Sequence, residues 1–253
     1  MSEKLQPKII LREASVKIPI YSEANNSIKR KILTSFSGGR ISVENKLKSV
    51  TALNSVSCKI YAGEKVALIG HNGAGKTSFI RTISGIYKLT SGSIDTKVDV
   101  YPMIERSFIV EEELTGYDST KAHYLIMNNS LRGFEEFLEY IISFSGIGEY
   151  LYLPLKTYSE GMASRLTFSL LTYHKHDCLA LDETIGTGDQ NFYKKAQKRL
   201  DEYLRSNGML ILSSHSSDLL RRFCNRGIVF ASGSIIFDGT LDEALKFYDE
   251  SNI

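Results

Sequence analysis

One stretch, Gly70-His71-Asn72-Gly73-Ala74-Gly75-Lys76-Thr77 with Ser78 behind it, constrains this chain more than any other. It follows the apolar run Lys65-Val66-Ala67-Leu68-Ile69 and precedes Phe79-Ile80-Arg81-Thr82-Ile83, where a helical pattern begins. A strand, a glycine-rich loop and a helix in this order form a P-loop. Glycines at 70, 73 and 75 let successive N–H groups turn inward onto a polyphosphate, and the helix aims its positive end at the same place. Lys76 then reaches the β- and γ-phosphates, and the Thr77 hydroxyl binds Mg²⁺. The plain alternative is a glycine-rich turn with an incidental lysine. It explains neither the complete spacing nor the flanking strand and helix.

At 253 residues the chain suits one large domain, or one domain with a small subdomain, and 42% apolar content supports a packed core. A net charge of +2 gives no bulk attraction to nucleic acid. The cysteines at 58, 178 and 224 show no C-x-x-C spacing, which points to reduced thiols in a cytosolic setting. Cys58 and Cys178 sit in apolar runs and read as packing residues. No apolar h-region follows Met1, and no stretch approaches the ~20 apolar residues that cross a bilayer, so neither a signal peptide nor a membrane span is expected.

In chain order, residues 9–18 read as a strand that Pro19 ends or turns into an edge. Residues 21–49, rich in Asn, Ser and Lys, read as an exposed insertion with a short basic helix near 28–36. It is either solvated or in contact with anionic lipid headgroups or a membrane partner. Strands are expected at 52–60, 89–94 and 98–104. From 120 to 152 the period is helical, with Leu125, Ile126, Leu131, Phe134, Phe137, Leu138, Ile141 and Ile142 on apolar faces and glycines at 133, 146 and 148 between them. Further on come a helix at 159–174, a buried strand at 178–181 ending in Asp182-Glu183, and an amphipathic helix at 191–204. A buried strand at 209–214 leads to His215, a hairpin covers 227–237, and Thr240 caps a last helix. The pattern predicts an α/β fold with a mostly parallel sheet. Its core takes residues 1–100 and 175–253, and a helical subdomain at about 117–172 is inserted. Ligands of such sheets bind at the carboxyl ends of strands, where the P-loop, Asp182-Glu183 and His215 all fall.

Asp182 can hold Mg²⁺ directly or through water, and Glu183 suits a general base or an orienter of the attacking water. His215 can contact the γ-phosphate or that water. Between these motifs stands Thr157-Tyr158-Ser159-Glu160-Gly161-Met162. It resembles the signature motif of ABC-type ATPases in the form found in ATP-binding subunits that export bacterial O-antigen, capsule and teichoic acid. Residues 182–189 resemble the Walker B and D-loop of that family, Ser214-His215-Ser216 its switch histidine, and residues 112–116 the acidic stretch after its Q-loop. The resemblance runs from about residue 9 to 248.

The resemblance implies an ABC-type P-loop core with an antiparallel β subdomain, binding ATP and Mg²⁺. Two subunits would form a homodimer, with Ser159, Gly161, Met162 and Asp189 completing the site on the partner's nucleotide. It implies docking on separate membrane permease subunits, which handle a lipid-linked glycan, at the cytoplasmic face of the bacterial inner membrane, and no nucleic-acid partner. Three positions depart from the pattern. No Gln stands at 101–108, and Glu105 is the candidate in its place. Tyr21 is the nearest aromatic to the adenine-stacking position. Glu160 adds a negative charge to the signature, harmless if it points outward and repulsive to ATP if inward. The chain ends at Ile253, so an added glycan-binding domain is not expected. Rival readings are the ATPase of another ABC transporter, a soluble ABC protein acting on nucleic acid or ribosomes, and an ATP-dependent scaffold that does not hydrolyse. Intact Lys76 and Glu183 argue against the last.

Overall fold

The structure, a computed structural model, describes residues 6–20, 41–44, 47–104, 112–182, 190–205 and 208–251. The chain divides into two units, Met1–Val100 with Met209–Ile253, and Tyr101–Gly208.

In the first unit, β1 (Pro7–Ile20), β2 (Ile41–Glu44), β3 (Leu47–Tyr61) and β5 (Ser91–Thr96) form an antiparallel sheet in the order β2-β3-β1-β5. Apolar residues of β1 and β3 fill the core: Ile9, Leu11, Leu53 and Ile60 are all but fully buried. The β1–β3 register shifts at four points, two of them between Leu11 and Val16. Glu13 and Ser55 there take φ of 48° and 49°, the left-handed region. Their amides turn to side chains instead, Glu13 N–H donating to Ser57 Oγ at 2.8 Å and Ser55 N–H to Ser15 Oγ at 2.9 Å.

One expectation changes here, and one choice is decided. The insertion read as loop through residue 49 contains β2 and the start of β3, because Ile41 and Val43 pair across to Val50 and Lys48. Of the two alternatives at Pro19 the structure has the edge: β1 continues through it, and it faces Ser49 of β3. Pairing with β5 ends at Ser15, so among the described residues no strand pairs with the proline on that side, where its missing N–H costs little. The rest of the insertion, including the expected basic helix at 28–36, lies outside the described residues.

The same unit carries β4 (Lys65–Ile69), β8 (Met209–Ser213), β9 (Arg226–Ala231) and β10 (Ser234–Thr240). β4 lies between β8 and β9 and is parallel to both, while β10 returns antiparallel to β9. Val66, Ala67, Leu68 and Ile69 are all buried, so both faces of β4 are covered, which explains the unbroken apolar run. Among the described residues three helices belong here: α1 (Lys76–Ile83), α6 (Ser217–Phe223) and α7 (Leu241–Glu250), the last with the expected Thr240 cap, as a capping box with Glu243. Arg226 ties the strands together. Its guanidinium donates twice to the Asp238 carboxylate at 2.7 and 2.8 Å, and to Glu64 Oε2 and the Lys59 carbonyl at 2.8 Å each.

The second unit holds β7 (Cys178–Asp182) beside β6 (Val100–Ile104), with α2 (Gly116–Asn128), α3 (Phe134–Ser145), α4 (Glu160–Tyr173) and α5 (Gln190–Arg205). Gly133 and Gly146 bound α3 in left-handed conformations, as their positions in the sequence suggest. Phe137 centres the packing, with Tyr173 edge-on at 4.7 Å and Tyr124 tilted at 4.8 Å. Leu125, Ile126 and Leu131, expected on apolar faces, are 46%, 73% and 43% exposed. The inward face of α2 is instead Gly116, Ser119, Thr120, His123 and Tyr124, spaced by three and four residues, which turns 125 and 126 outward. Among the described residues no helix is long and apolar enough to cross a membrane. Cys58, Cys178 and Cys224 are free and buried, and burial raises each thiol to about 12, which suits packing and not reactivity.

Burial, then the nearby His174 and His176, lower the pKa of His123 from 6.5 to about 4. The folded protein therefore favours neutral His123. Its contribution is complete above pH 6.5 and is lost as pH falls from 6.5 to 4, by up to about 3 kcal/mol. Chemical denaturation across this window should show that decline, and His123→Gln should flatten it. Arg226→Ala leaves Asp238 and Glu64 without their shared cation and should lower stability by about 3 kcal/mol in urea unfolding.

Candidate functional site

The site in the first unit begins where β4 ends. Gly70, Gly73 and Gly75 take φ of 146°, 79° and 120°, values that L side chains rarely adopt. At Gly70 a Cβ would stand 2.5 Å from the Phe230 carbonyl oxygen of the neighbouring β9, so the close approach excludes a side chain as well. Ala74 N–H bonds back to the His71 carbonyl at 3.0 Å, and Gly233 N–H in the β9–β10 turn donates to the Ala74 carbonyl at 2.8 Å. The loop is thus held from inside and from the hairpin beside it.

Helix α1 opens at Lys76, with Gly75 as N-cap and no side-chain cap. The positive end of the helix dipole therefore faces the loop with no side chain of its N-cap residue over it. Lys76 is only 6% exposed. Its ammonium donates to the Gly70 carbonyl at 2.6 Å and the His71 carbonyl at 3.1 Å, which offsets the cost of burying it. Thr77 and Ser78 are half-buried in the first turn, while His71, Asn72 and Gly73 are exposed at the tip. Phe79 anchors the helix beneath, its ring 5.2 Å from that of Phe230.

His215 reaches the same loop. Leu68 of β4 and Ser213 of β8 are paired in parallel register, so the two chains leave the sheet level with each other. Two residues beyond Ser213, His215 Nε2 lies 3.1 Å from Asn72 Oδ1. Ser216 then caps α6, its hydroxyl accepting from Leu219 N–H at 3.3 Å. The sequence placed Asn72 and His215 in separate motifs. Only the neighbouring parallel strands reveal that they touch.

In the second unit the buried strand β7 ends at Asp182, which is 6% exposed. Ser159 caps α4, its Oγ accepting from Met162 N–H at 3.2 Å, and Gly161 and Met162 are half-buried in the first turn. Glu160 is exposed, the outward arrangement in which its charge costs little. Tyr158 fixes the segment from below: it is buried, and its hydroxyl donates to the Tyr150 carbonyl at 2.7 Å. Burial raises that phenol to about 12. Tyr21, Glu105, Glu183 and Asp189 lie outside the described residues. The chemistry of Thr77 and Asp182, a hydroxyl and a buried carboxylate, fits a hard cation such as Mg²⁺.

Residues 53–186 match the family described as ABC transporter, and the chain belongs to that family. It is an ABC-type ATP-binding protein, with the α/β fold and the antiparallel sheet that its sequence implied. It is 33% identical to the O-antigen export system ATP-binding protein RfbE of Yersinia enterocolitica over 235 residues, 92% of this chain and 98% of that one. To the capsule polysaccharide export ATP-binding protein CtrD of Neisseria meningitidis serogroup B it is 35% identical over 199 residues, 79% of this chain and 90% of that one. Its fold is similar to a dimeric ATP-binding cassette in a post-hydrolysis state bound to ADP and Pi, with a TM-score of 0.69 at 15% identity, covering 92% of this chain and 98% of that one.

Both backbone strain and the Phe230 contact oppose a side chain at position 70, so Gly70→Ala should lower unfolding free energy by more than about 2 kcal/mol in denaturant titrations. Ser159→Ala removes only a helix cap and should cost about 1 kcal/mol.

Proposed function

We propose that this chain is the ATP-hydrolysing subunit of an ABC transporter that exports a lipid-linked polysaccharide. The observation that carries the ATPase reading is the loop itself: three glycines at positive φ, a helix that opens behind a glycine and a buried Lys76 ammonium lie within one eight-residue stretch. Such a stretch accepts a polyphosphate. The export systems named for RfbE and CtrD support the polysaccharide cargo.

On this reading Gly70, His71, Asn72, Gly73, Ala74 and Gly75 wrap the nucleotide's phosphates, and Lys76 moves from the loop's own carbonyls to the β- and γ-phosphates. Ser78 supports the loop from the first turn of α1. Tyr21 stacks on adenine. Thr77 and Asp182 would hold Mg²⁺, which when bound supplies positive charge to the phosphate oxygens; Glu105 stands where a Gln is usual beside it. Glu183 orients or deprotonates the attacking water. His215 Nε2 faces the loop and donates to the γ-phosphate.

The signature residues complete the site in trans. Ser159 has its hydroxyl at the start of α4, where the helix dipole favours an anion, and Gly161 and Met162 present the adjacent turn. With Asp189, they close on the nucleotide of a second copy, so the working form is a homodimer with two composite sites. The dimeric state of the structurally similar cassette supports this arrangement. Closing and opening of the dimer drives separate membrane permease subunits, with this chain at the cytoplasmic face of the bacterial inner membrane. In domain terms, residues 1–100 and 175–253 serve as the nucleotide-binding core and about 117–172 as the helical arm toward the permease.

Phosphate release by the purified protein tests the chemistry. Glu183→Gln should lower turnover by about 10²-fold or more while nucleotide still binds, and Lys76→Ala should lose binding. Equal rates in wild type and Glu183→Gln would sink the mechanism. A composite site also predicts that Lys76→Ala and Ser159→Arg chains, each inactive alone, regain activity when mixed, since each mixed dimer holds one intact site.

A further inference from the structure

The contact between Asn72 and His215 goes beyond the roles given to either residue. Their backbones are independently fixed. Asn72 sits in the turn closed by Ala74 N–H on the His71 carbonyl, and His71 Nδ1–H donates to the Asn72 carbonyl at 2.7 Å. His215 is bracketed by Ser214 and Ser216, with Ser216 N–H on Ser214 Oγ at 3.1 Å and the Ser216 hydroxyl capping α6. The parallel β4–β8 register sets the two loops side by side. What remains undetermined by the backbone is which way the imidazole turns and which nitrogen carries its hydrogen.

We propose that Asn72 is the positioning residue of His215: its amide oxygen, 3.1 Å from Nε2, holds the ring toward the phosphate loop in the tautomer that carries its hydrogen on Nε2. An amide oxygen only accepts, so the nitrogen facing it is one that carries a hydrogen. A γ-phosphate oxygen is likewise only an acceptor. The hydrogen that Asn72 selects in the nucleotide-free protein is therefore the one that ATP needs, already aimed at the loop. When ATP arrives, the N–H passes from the amide oxygen to the phosphate, with no proton transfer and no change of tautomer. This gives the tip residue a role its backbone alone does not supply. It rests on the hydrolytic reading of His215 above.

Nitrogen-15 NMR of the full chain labelled at histidine, at pH 8 and without nucleotide, reads the tautomer directly. Wild-type His215 should show the shifts of an Nε2–H imidazole, and Asn72→Ala should move them toward a mixture. In steady-state ATP hydrolysis, Asn72→Ala should lower kcat roughly five- to tenfold while KM moves less than about twofold. Made in a His215→Ala background, the same substitution should change kcat no further. Asn72 is exposed, so the truncation does not threaten the fold, and an unchanged thermal midpoint checks this. Identical His215 shifts with and without Asn72, or an equal kcat loss with and without His215, would overturn the proposal. An ATPase rate untouched by His215→Ala would instead overturn the role of His215 on which the kinetics depend, and the nitrogen shifts would then decide the tautomer claim alone.

Discussion

Burying the Lys76 ammonium is the demand around which the first unit is arranged. A cation that is 6% exposed must find oxygen, and it finds the carbonyls of Gly70 and His71 in its own loop. Bringing those carbonyls under the lysine requires the chain to reverse tightly, which the conformations at 70, 73 and 75 allow. The reversal in turn needs β9 to press its Phe230 carbonyl against Gly70 and the β9–β10 turn to bond Ala74. The hairpin brings its own constraint. Ser232 and Gly233, both at positive φ, form the two-residue turn that matches strand twist, and Arg226 holds the hairpin to β3 and to the turn before β4.

The two units use opposite means at the helix ends proposed to meet phosphate. Helix α1 starts behind a glycine, which has no side chain to cap its first turn. Helix α4 starts behind Ser159, whose oxygen already serves Met162 N–H while its hydroxyl hydrogen remains a donor for another group. The first arrangement suits a loop that wraps an anion. The second suits a surface that adds one more contact to an anion held elsewhere. Membership of the ABC transporter family gives both arrangements a common purpose, and the similarity to O-antigen and capsule export proteins narrows the transport they serve.

Much of this was legible in the residues. Local chemistry sets the strand–loop–helix at 65–83, the Ser159 and Thr240 caps, the glycines that bound α3 and the buried strands at 178 and 209, because each depends on neighbours within a few positions. The outward Glu160 was open in the sequence and was decided by the first turn of α4. Other features answer to distant partners. Polar, lysine-rich residues near 41–50 became strands because Ile41 and Val43 met β3. Leu125 and Ile126 turned outward because smaller and more polar residues of α2 face the aromatic core around Phe137.

The sequence by itself determined the strand–loop–helix at 65–83, since glycine spacing, lysine and helix start act within eight residues. Only the tertiary structure decided how tightly that loop closes and which side chain meets His215. Those depend on β4 lying between β8 and β9, a pairing of strands more than 140 residues apart, recorded in the 143-residue separation of Asn72 and His215. Contacts across such distances follow from the order of strands in the sheet, which no local pattern of residues encodes.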